Sequence, residues 1–169
     1  EITNYMTLVS SLKMNESDST TCNALYKCFS DIERIGDHAI NIIQYSTDED
    51  NKLSSSKYIE DELHQLASLL SKSFSLLSTY SLDSQDECFE KIERIEDRID
   101  ELTASYRQAQ IERLMEKKVN ALDCVIYSEI LTDVERVSDH IMNIIQEAKR
   151  CNFTLSDEAI QSDPALSAA

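Results

Sequence analysis

The stretch E-R-I-G-D-H-A-I-N-I-I at residues 33–43 belongs to an internal repeat, because it returns 102 positions later as E-R-V-S-D-H-I-M-N-I-I at residues 135–145. A shorter copy, E-R-I-E-D, occupies residues 93–97. The shared pattern is the pentapeptide E-R-[I/V]-x-D. Its glutamate and aspartate lie four residues apart, and the apolar residues around them recur at helical spacing. The sequence therefore predicts three helices that carry one common surface pattern.

The chain has 169 residues but one glycine, Gly36, and one proline, Pro164. Hairpins and tight turns depend on these residue types, which argues against a fold rich in β-strands. Long helices joined by short polar turns remain. Apolar spacing predicts five of them, at residues 1–14, 19–46, 56–80, 84–116 and 120–150. Ser84, followed three residues later by Glu87, predicts a capping box at the start of the fourth helix.

The repeat predicts an all-α fold of tandem three-helix bundles, truncated at both ends, with about five long helices in this chain. The first repeat is expected at 1–80, with its first helix cut short. The second is expected at 81–155, with most of its last helix missing. Residues 156–169 are expected to form a frayed tail.

A helical wheel places the acids of each copy away from the apolar stripe. With Glu33 at zero and about 100° per residue, Asp37 falls near 40° and Asn41 near 80°. The apolar residues Ile35 and Ile42 fall on the opposite side, between about 180° and 260°. We therefore expect the acids on the outer surface of the bundle or in a groove between helices.

Acids at i and i+4 repel each other on a helix, unless a cation neutralises them. Carboxylates with amide oxygens or imidazoles nearby suit Mg, Mn, Fe or Zn, as divalent or trivalent ions in clusters of one or more. The predicted metal ligands are Glu33, Asp37, Glu93, Asp97, Glu135 and Asp139, with His38, Asn41, His140 and Asn143 as further candidates.

Structural interpretations of the same residues stay open at this point. The pentapeptide E-R-[I/V]-x-D is a common fragment of amphipathic helices, although three copies in the same helical register favour a metal site. Each histidine is equally well explained as a helix-flank residue paired with an acid. Gly36 lowers helix stability by about 1 kcal/mol relative to alanine. Its expected use is close packing against a neighbouring helix.

The charge and cysteine content exclude several functions. The chain has 32 acidic and 16 basic residues, a net charge of −16, which disfavours nucleic acid and anionic membrane surfaces as partners. Five cysteines without a C-x-x-C pattern are typical of reduced, structural thiols. Di-iron oxidases use an inward-facing Glu-x-x-His pattern, which these helices lack. No arrangement of catalytic residues is visible, so we expect no enzymatic activity.

The two extended motifs, at residues 33–42 and 135–144, resemble the signature of PhoU domains. This resemblance implies a tandem repeat of three-helix bundles with E/D-x-x-x-D motifs that bind multinuclear metal clusters on the bundle surface. It assigns Glu33 and Asp37 to the first site. Glu135 and Asp139 belong to the second site, with Glu93 and Asp97 as the partner pair.

The resemblance extends to the cytoplasmic PhoU-like tail of bacterial sodium/phosphate cotransporters. Stand-alone PhoU regulators carry a D-L-R stretch early in the motif helix, which residues 23–26 and 121–124 lack. The opening E-I-T-N-Y-M at residues 1–6 is also similar to the first helix of such tails. No run of apolar residues is long enough to cross a membrane.

This comparison implies a metal-binding regulatory domain in phosphate homeostasis, on the cytoplasmic side of the plasma membrane. Its expected partners are an upstream transporter membrane domain in the same polypeptide and other phosphate-signalling proteins. A homo-oligomer stays open. Two alternatives remain: a stand-alone PhoU-like negative regulator of phosphate uptake signalling, and a metal-free helical module for protein interaction.

Overall fold

The structure is a computed structural model that describes residues 2–47, 53 and 56–153. Within this part of the chain the backbone forms five α-helices and one short 3₁₀ turn, and the predicted all-α bundle is confirmed. The helices are α1 (Ile2–Ser10), α2 (Glu16–Thr47), α3 (Lys57–Ser78), α4 (Gln85–Met115) and α5 (Ala121–Cys151), with the 3₁₀ turn at Leu82–Ser84 before α4.

The fifth helix, α5, is the centre of the bundle. It packs against α2, α3 and α4, whereas α1 packs on α2. Ile141 and Ile145 of α5 are fully buried with Ile92 of α4 in one apolar cluster. Leu131 of α5 joins Leu66 of α3 in a second. Burial of such side chains supplies the main stabilising free energy of the fold.

The motif helix α2 is less well covered than its repeat counterpart. Val134 and Ile145 of α5 are 5% and 0% exposed. The equivalent residues of α2, Ile32 and Ile43, are 54% and 59% exposed. The difference arises because α3 and α4 pack on α5, while the main neighbours of α2 in the described part are α1 and α5.

The ends of the helices show where local prediction succeeded and failed. Asn120 caps α5, since its side chain accepts a hydrogen bond from the Asp123 backbone N–H at 2.8 Å. Lys117 adopts a left-handed φ of 60° and ends α4, as the predicted break requires. The capping box at Ser84 is wrong. The Ser84 hydroxyl lies against the Ser81 hydroxyl in the 3₁₀ turn and makes no cap hydrogen bond.

The expectation that Gly36 allows close packing is also wrong. Gly36 is exposed on α2, and a Cβ atom built there would meet nothing within 4 Å. Buried thiols behave as the cysteine pattern predicted. Cys28 is 5% exposed, and burial raises the pKa of its thiol to about 11, which keeps it protonated and unreactive.

Part of the predicted organisation stays a prediction. The boundary between repeats at residues 80 and 81 is one such case, although α3 lies with α4 and α5 in a shared apolar cluster. The tail predicted at 156–169 lies outside the described residues.

Candidate functional site

The two motif helices meet through exchanged histidine–aspartate pairs. His38 of α2 lies 2.7 Å from Asp133 of α5, measured from Nδ1 to Oδ1. His140 of α5 lies 2.8 Å from Asp31 of α2, between the same atoms. The two imidazole rings stack between these pairs, with centroids 5.6 Å apart and an interplanar angle of 25°. The crossing of α2 and α5 thus has local two-fold symmetry.

The motif asparagines join the same arrangement. The side-chain amide of Asn41 points to Asp133 at 3.4 Å, and that of Asn143 points to Asp31 at 3.5 Å. Each carboxylate therefore faces one histidine and one asparagine of the opposite helix. The interpretation of the histidines as residues paired with acids describes this geometry, and Nδ1 of each ring is occupied by that pairing.

Asp31 and Asp133 were not among the predicted site residues. They stand two residues before the motif glutamates and are themselves 102 positions apart. Extending the repeat upstream to D-[I/V]-E-R would have found them. The histidine partner of Asp31 lies 109 residues away in sequence and that of Asp133 lies 95 residues away, so the pairing itself was not visible from local spacing.

Glu135 is engaged by a cation from α4. Arg107 donates from Nη1 and Nη2 to the two carboxylate oxygens at 2.6 and 2.7 Å, and the Thr103 hydroxyl donates to the same carboxylate. Burial alone would raise the pKa of Glu135. These hydrogen bonds outweigh burial and hold its pKa below the usual value. Arg107 was not predicted, because its partner lies 28 residues away on another helix.

Asp139, the second acid of the motif that contains Glu135, lies near carboxylates of α4. Arg136 precedes Asp139 by three residues on the same helix, and its Nη1 lies 3.3 Å from the Asp139 Oδ2. Burial raises the pKa of Asp100, and the carboxylates of Glu135 and Asp139 raise it further. The pKa of Glu96 is raised by burial and then by Asp100, Asp97 and Asp139. Glu96 and Asp100 are thus the α4 acids most affected by neighbouring carboxylates, although neither was predicted.

The remaining predicted ligands lie in the open. Glu93 and Asp97 are exposed on α4, and Arg94 pairs with Glu90 at 3.0 Å. Glu33 and Asp37 are exposed on α2. The structure therefore brings Asp97 and Asp139 to one acidic surface of α4 and α5, and it leaves the acids of α2 apart from that surface.

The donor chemistry of this acidic surface suits a hard cation, since carboxylate oxygens gather there and neighbouring carboxylates add to the raised pKa values of Glu96 and Asp100. The arrangement does not yet form a coordination site. Within residues 2–47, 53 and 56–153, no three histidine, cysteine or acidic side chains converge as metal ligands. Among these same residues, no helix is both long and apolar enough to cross a membrane.

Comparison with known proteins agrees with the repeated motif. The family model of the PhoU domain matches residues 61–148, just over half of the chain. A "Phosphate-specific transport system accessory protein PhoU homolog 1" of Thermotoga maritima is 28% identical over 126 residues, which cover 73% of this chain and 53% of the relative. A homolog of the same accessory protein from Deinococcus radiodurans is 24% identical over 125 residues, covering 74% and 58%.

The chain spans just over half the length of these curated relatives. No solved structure matches it significantly. The family model covers the end of the bundle in which α3, α4 and α5 share their apolar clusters, and it includes the second copy of the motif. The chain belongs to the PhoU domain family.

Proposed function

We propose that this chain is a non-enzymatic regulatory domain of phosphate transport. Membership of the PhoU domain family carries the proposal, because both relatives described above are accessory proteins of a phosphate-specific transport system. The geometry supports a regulatory role. The most conspicuous polar groups pair across helices or form an acidic surface, as expected of a domain that binds ions or partners.

Two placements of this domain are compatible with the family. In the first it is an accessory protein that acts on a separate phosphate transporter, and the names of the relatives support this alternative over the other. In the second it is the cytoplasmic tail of a sodium/phosphate cotransporter, which the missing D-L-R stretch and residues 1–6 favour. We take the accessory role as the proposal.

Co-purification from the native host tests the accessory role. An epitope tag is placed within the genomic copy, and detergent-solubilised membranes are captured through the tag with and without phosphate starvation. The accessory role predicts that the tagged protein migrates at a size without transporter spans and retains phosphate-transporter subunits identified by mass spectrometry. A tagged band that itself contains peptides of a multi-span sodium/phosphate transporter would establish the tail instead. Capture of no phosphate-transport protein in either form contradicts both.

We further propose that the acidic surface of α4 and α5 binds divalent or trivalent cations. Glu93, Asp97, Glu135 and Asp139 would supply carboxylate oxygens, and Arg107 would compete with the ion for Glu135. The raised pKa values of Glu96 and Asp100 support the proposal, because a cation would relieve that repulsion. On α2, we propose that Glu33 and Asp37 bind a cation in the same way.

Thermal unfolding with added Mn²⁺ tests the cation proposal. The unmodified chain should gain several degrees in Tm at an Mn²⁺ concentration about 100 times the dissociation constant. The double variant Asp97→Asn with Asp139→Asn should lose most of that gain, whereas Glu87→Gln, an exposed acid paired with Lys91 on α4, should retain it. Equal Mn²⁺ responses of the double variant and the unmodified chain would contradict the assignment.

A further inference from the structure

A polar groove runs along the crossing of α2 and α5, apart from the acidic surface of α4 and α5. Lys27, Ser30 and Arg34 line it from α2, at the spacing of one helix face. His140, Asn143 and Gln146 line it from α5. The groove is open and has a volume of about 430 Å³, enough for a small hydrated anion.

Arg34 is the unusual residue of this groove. Its repeat counterpart, Arg136, pairs with Asp139 three residues later at 3.3 Å. Arg34 has Asp37 available at the same offset, yet among the described residues it makes no hydrogen bond or ion pair. A chain with twice as many acids as bases thus leaves a guanidinium unpaired beside a groove.

Further donors and acceptors surround the same space. Lys27 pairs with Glu147 at 2.7 Å, and Arg150 pairs with the other oxygen of Glu147. Asp31 faces His140, with Asn143 at 3.5 Å. An ionised carboxylate has about four acceptor positions, so Glu147 and Asp31 retain capacity to accept a hydrogen bond from a ligand.

This mixture of charges selects among oxyanions. Cations and amide N–H groups suit the oxygens of an anion, whereas the two carboxylates repel any anion that has no proton to donate. Inorganic phosphate keeps at least one O–H group at neutral pH and can donate to a carboxylate. Sulfate is fully ionised there, and a phosphate monoester is mostly a dianion because its second pKa is about 6.

The internal repeat provides equivalent sequence positions for comparison. At the positions equivalent to Lys27 and Glu147 it carries Glu129 and Tyr45. It therefore lacks the lysine, and its arginine is already paired. The anion-binding combination occurs on one side of the local two-fold axis only.

We propose that the groove lined by Lys27, Ser30, Arg34, Asn143 and Gln146 binds inorganic phosphate, with the Glu147 or Asp31 carboxylate accepting a hydrogen bond from the phosphate O–H group. Arg34 contributes the free charge-assisted donor, and Lys27 contributes a second cation. The proposal goes beyond the regulatory role above and does not depend on it, since it concerns a ligand of the purified chain.

Equilibrium dialysis of the purified chain against radiolabelled inorganic phosphate tests the proposal. A chelator is present throughout, so that phosphate held by metal on the acidic surface does not contribute. The unmodified chain should show saturable binding of one phosphate. Arg34→Ala should weaken binding about tenfold or more, because a hydrogen bond to a charged group is lost. Arg136→Ala, the matched control in the other copy, should change binding less than about twofold.

Competition completes the test. Unlabelled phosphate should displace the label at least about tenfold more effectively than sulfate or a phosphate monoester, because sulfate carries no proton at neutral pH and a monoester carries one only in its minor monoanionic form. Absence of saturable binding to the unmodified chain would overturn the proposal. So would an equal loss in Arg34→Ala and Arg136→Ala, or equal competition by sulfate. Because Arg34 and Arg136 are both exposed, neither variant is expected to unfold the chain, and circular dichroism confirms this for each.

Discussion

At Gly36 the chain carries a helix-destabilising residue without a packing reason for it. A methyl group added there would meet no atom within 4 Å. Gly36→Ala should therefore raise the free energy of unfolding by about 0.5–1 kcal/mol, through the lower backbone entropy of alanine in the unfolded chain. Urea unfolding measures the change. Ala39→Gly, at an exposed position of the same helix, should lower it by a similar amount. A loss of stability in Gly36→Ala would show that this face of α2 has a close neighbour in solution.

Asp100 is a residue whose charge works against folding. Its pKa is raised in the folded chain by burial and by Glu135, Asp139 and Asp97, so ionisation favours the unfolded state. Asp100→Asn should therefore stabilise the chain above the folded-state pKa, by about a few tenths of a kcal/mol for this exposed group. The gain should disappear as the pH falls below 3.8, the pKa of this carboxyl in the unfolded chain, because Asp100 is then protonated in both the folded and the unfolded state.

Thermal unfolding between pH 3 and pH 8 checks the sign of the Asp100 effect. Glu90→Gln is the control on the same helix, because Glu90 faces Arg94 and its replacement should bring no gain. A gain in Asp100→Asn that persists unchanged at pH 3 would mean that the repulsion between carboxylates is not its cause.

At the scale of the elements, the crossing of α2 and α5 depends on its exchanged pairs. His38→Ala leaves the Asp133 carboxylate, 10% exposed, without its main hydrogen-bond partner. Loss of one partner of a buried polar pair lowers the free energy of unfolding by about 1–3 kcal/mol. His140→Ala should act similarly on Asp31, because the two pairs are related by the local two-fold axis.

His64 provides the matched control for these two variants. It is exposed on α3, and its hydrogen-bond partner in the described part of the chain is the Glu60 carbonyl oxygen of its own helix, 2.9 Å from Nδ1. Its replacement by alanine should change stability by less than about 0.5 kcal/mol. Chemical denaturation of the three variants measures the difference. If His38→Ala and His64→Ala were equally stable, the pairing would contribute nothing to the helix crossing.

The helices also show how much of the fold could be predicted from the sequence. Helical periodicity was enough to predict α2 to α5 within a few residues, because long amphipathic stripes are local signals. The start of α4 was predicted within one residue, but the capping box was not formed, since the Ser84 hydroxyl contacts the Ser81 hydroxyl instead. Asp133 could have been found by extending the repeat upstream, but its pairing with His38 could not, and Arg107 was missed because its partner also lies on another helix. No local spacing encodes such contacts.

The acidic surface illustrates the same limit. The pentapeptide search selected Glu93 and Asp97, whereas the carboxyls with raised pKa values are those of Glu96 and Asp100. Which side of α4 faces α5 is set by packing of Ile92 and Ile99, and a string match ignores it. Whether these acids bind a metal stays a prediction.

At the scale of the whole molecule, α5 is covered on several sides and α2 is covered mainly on two. Residues equivalent by the 102-residue repeat therefore differ in exposure by more than half of their surface, as Ile43 and Ile145 do. Large exposed apolar side chains also lie on α1, including Tyr5 and Leu8. Exposed apolar surface of this kind is typical of a domain that packs against further protein.

Uptake of radiolabelled phosphate by the native host tests the regulatory role most directly. The segment that encodes residues 2–153 is deleted in frame, and initial uptake rates are measured across a range of external phosphate concentrations. A plasmid copy of the deleted gene restores the unmodified state as the control. We expect that the deletion strain no longer reduces its uptake as external phosphate rises, and that the plasmid copy restores the response. Superimposable uptake curves for the deletion strain and its parent would contradict the proposed function.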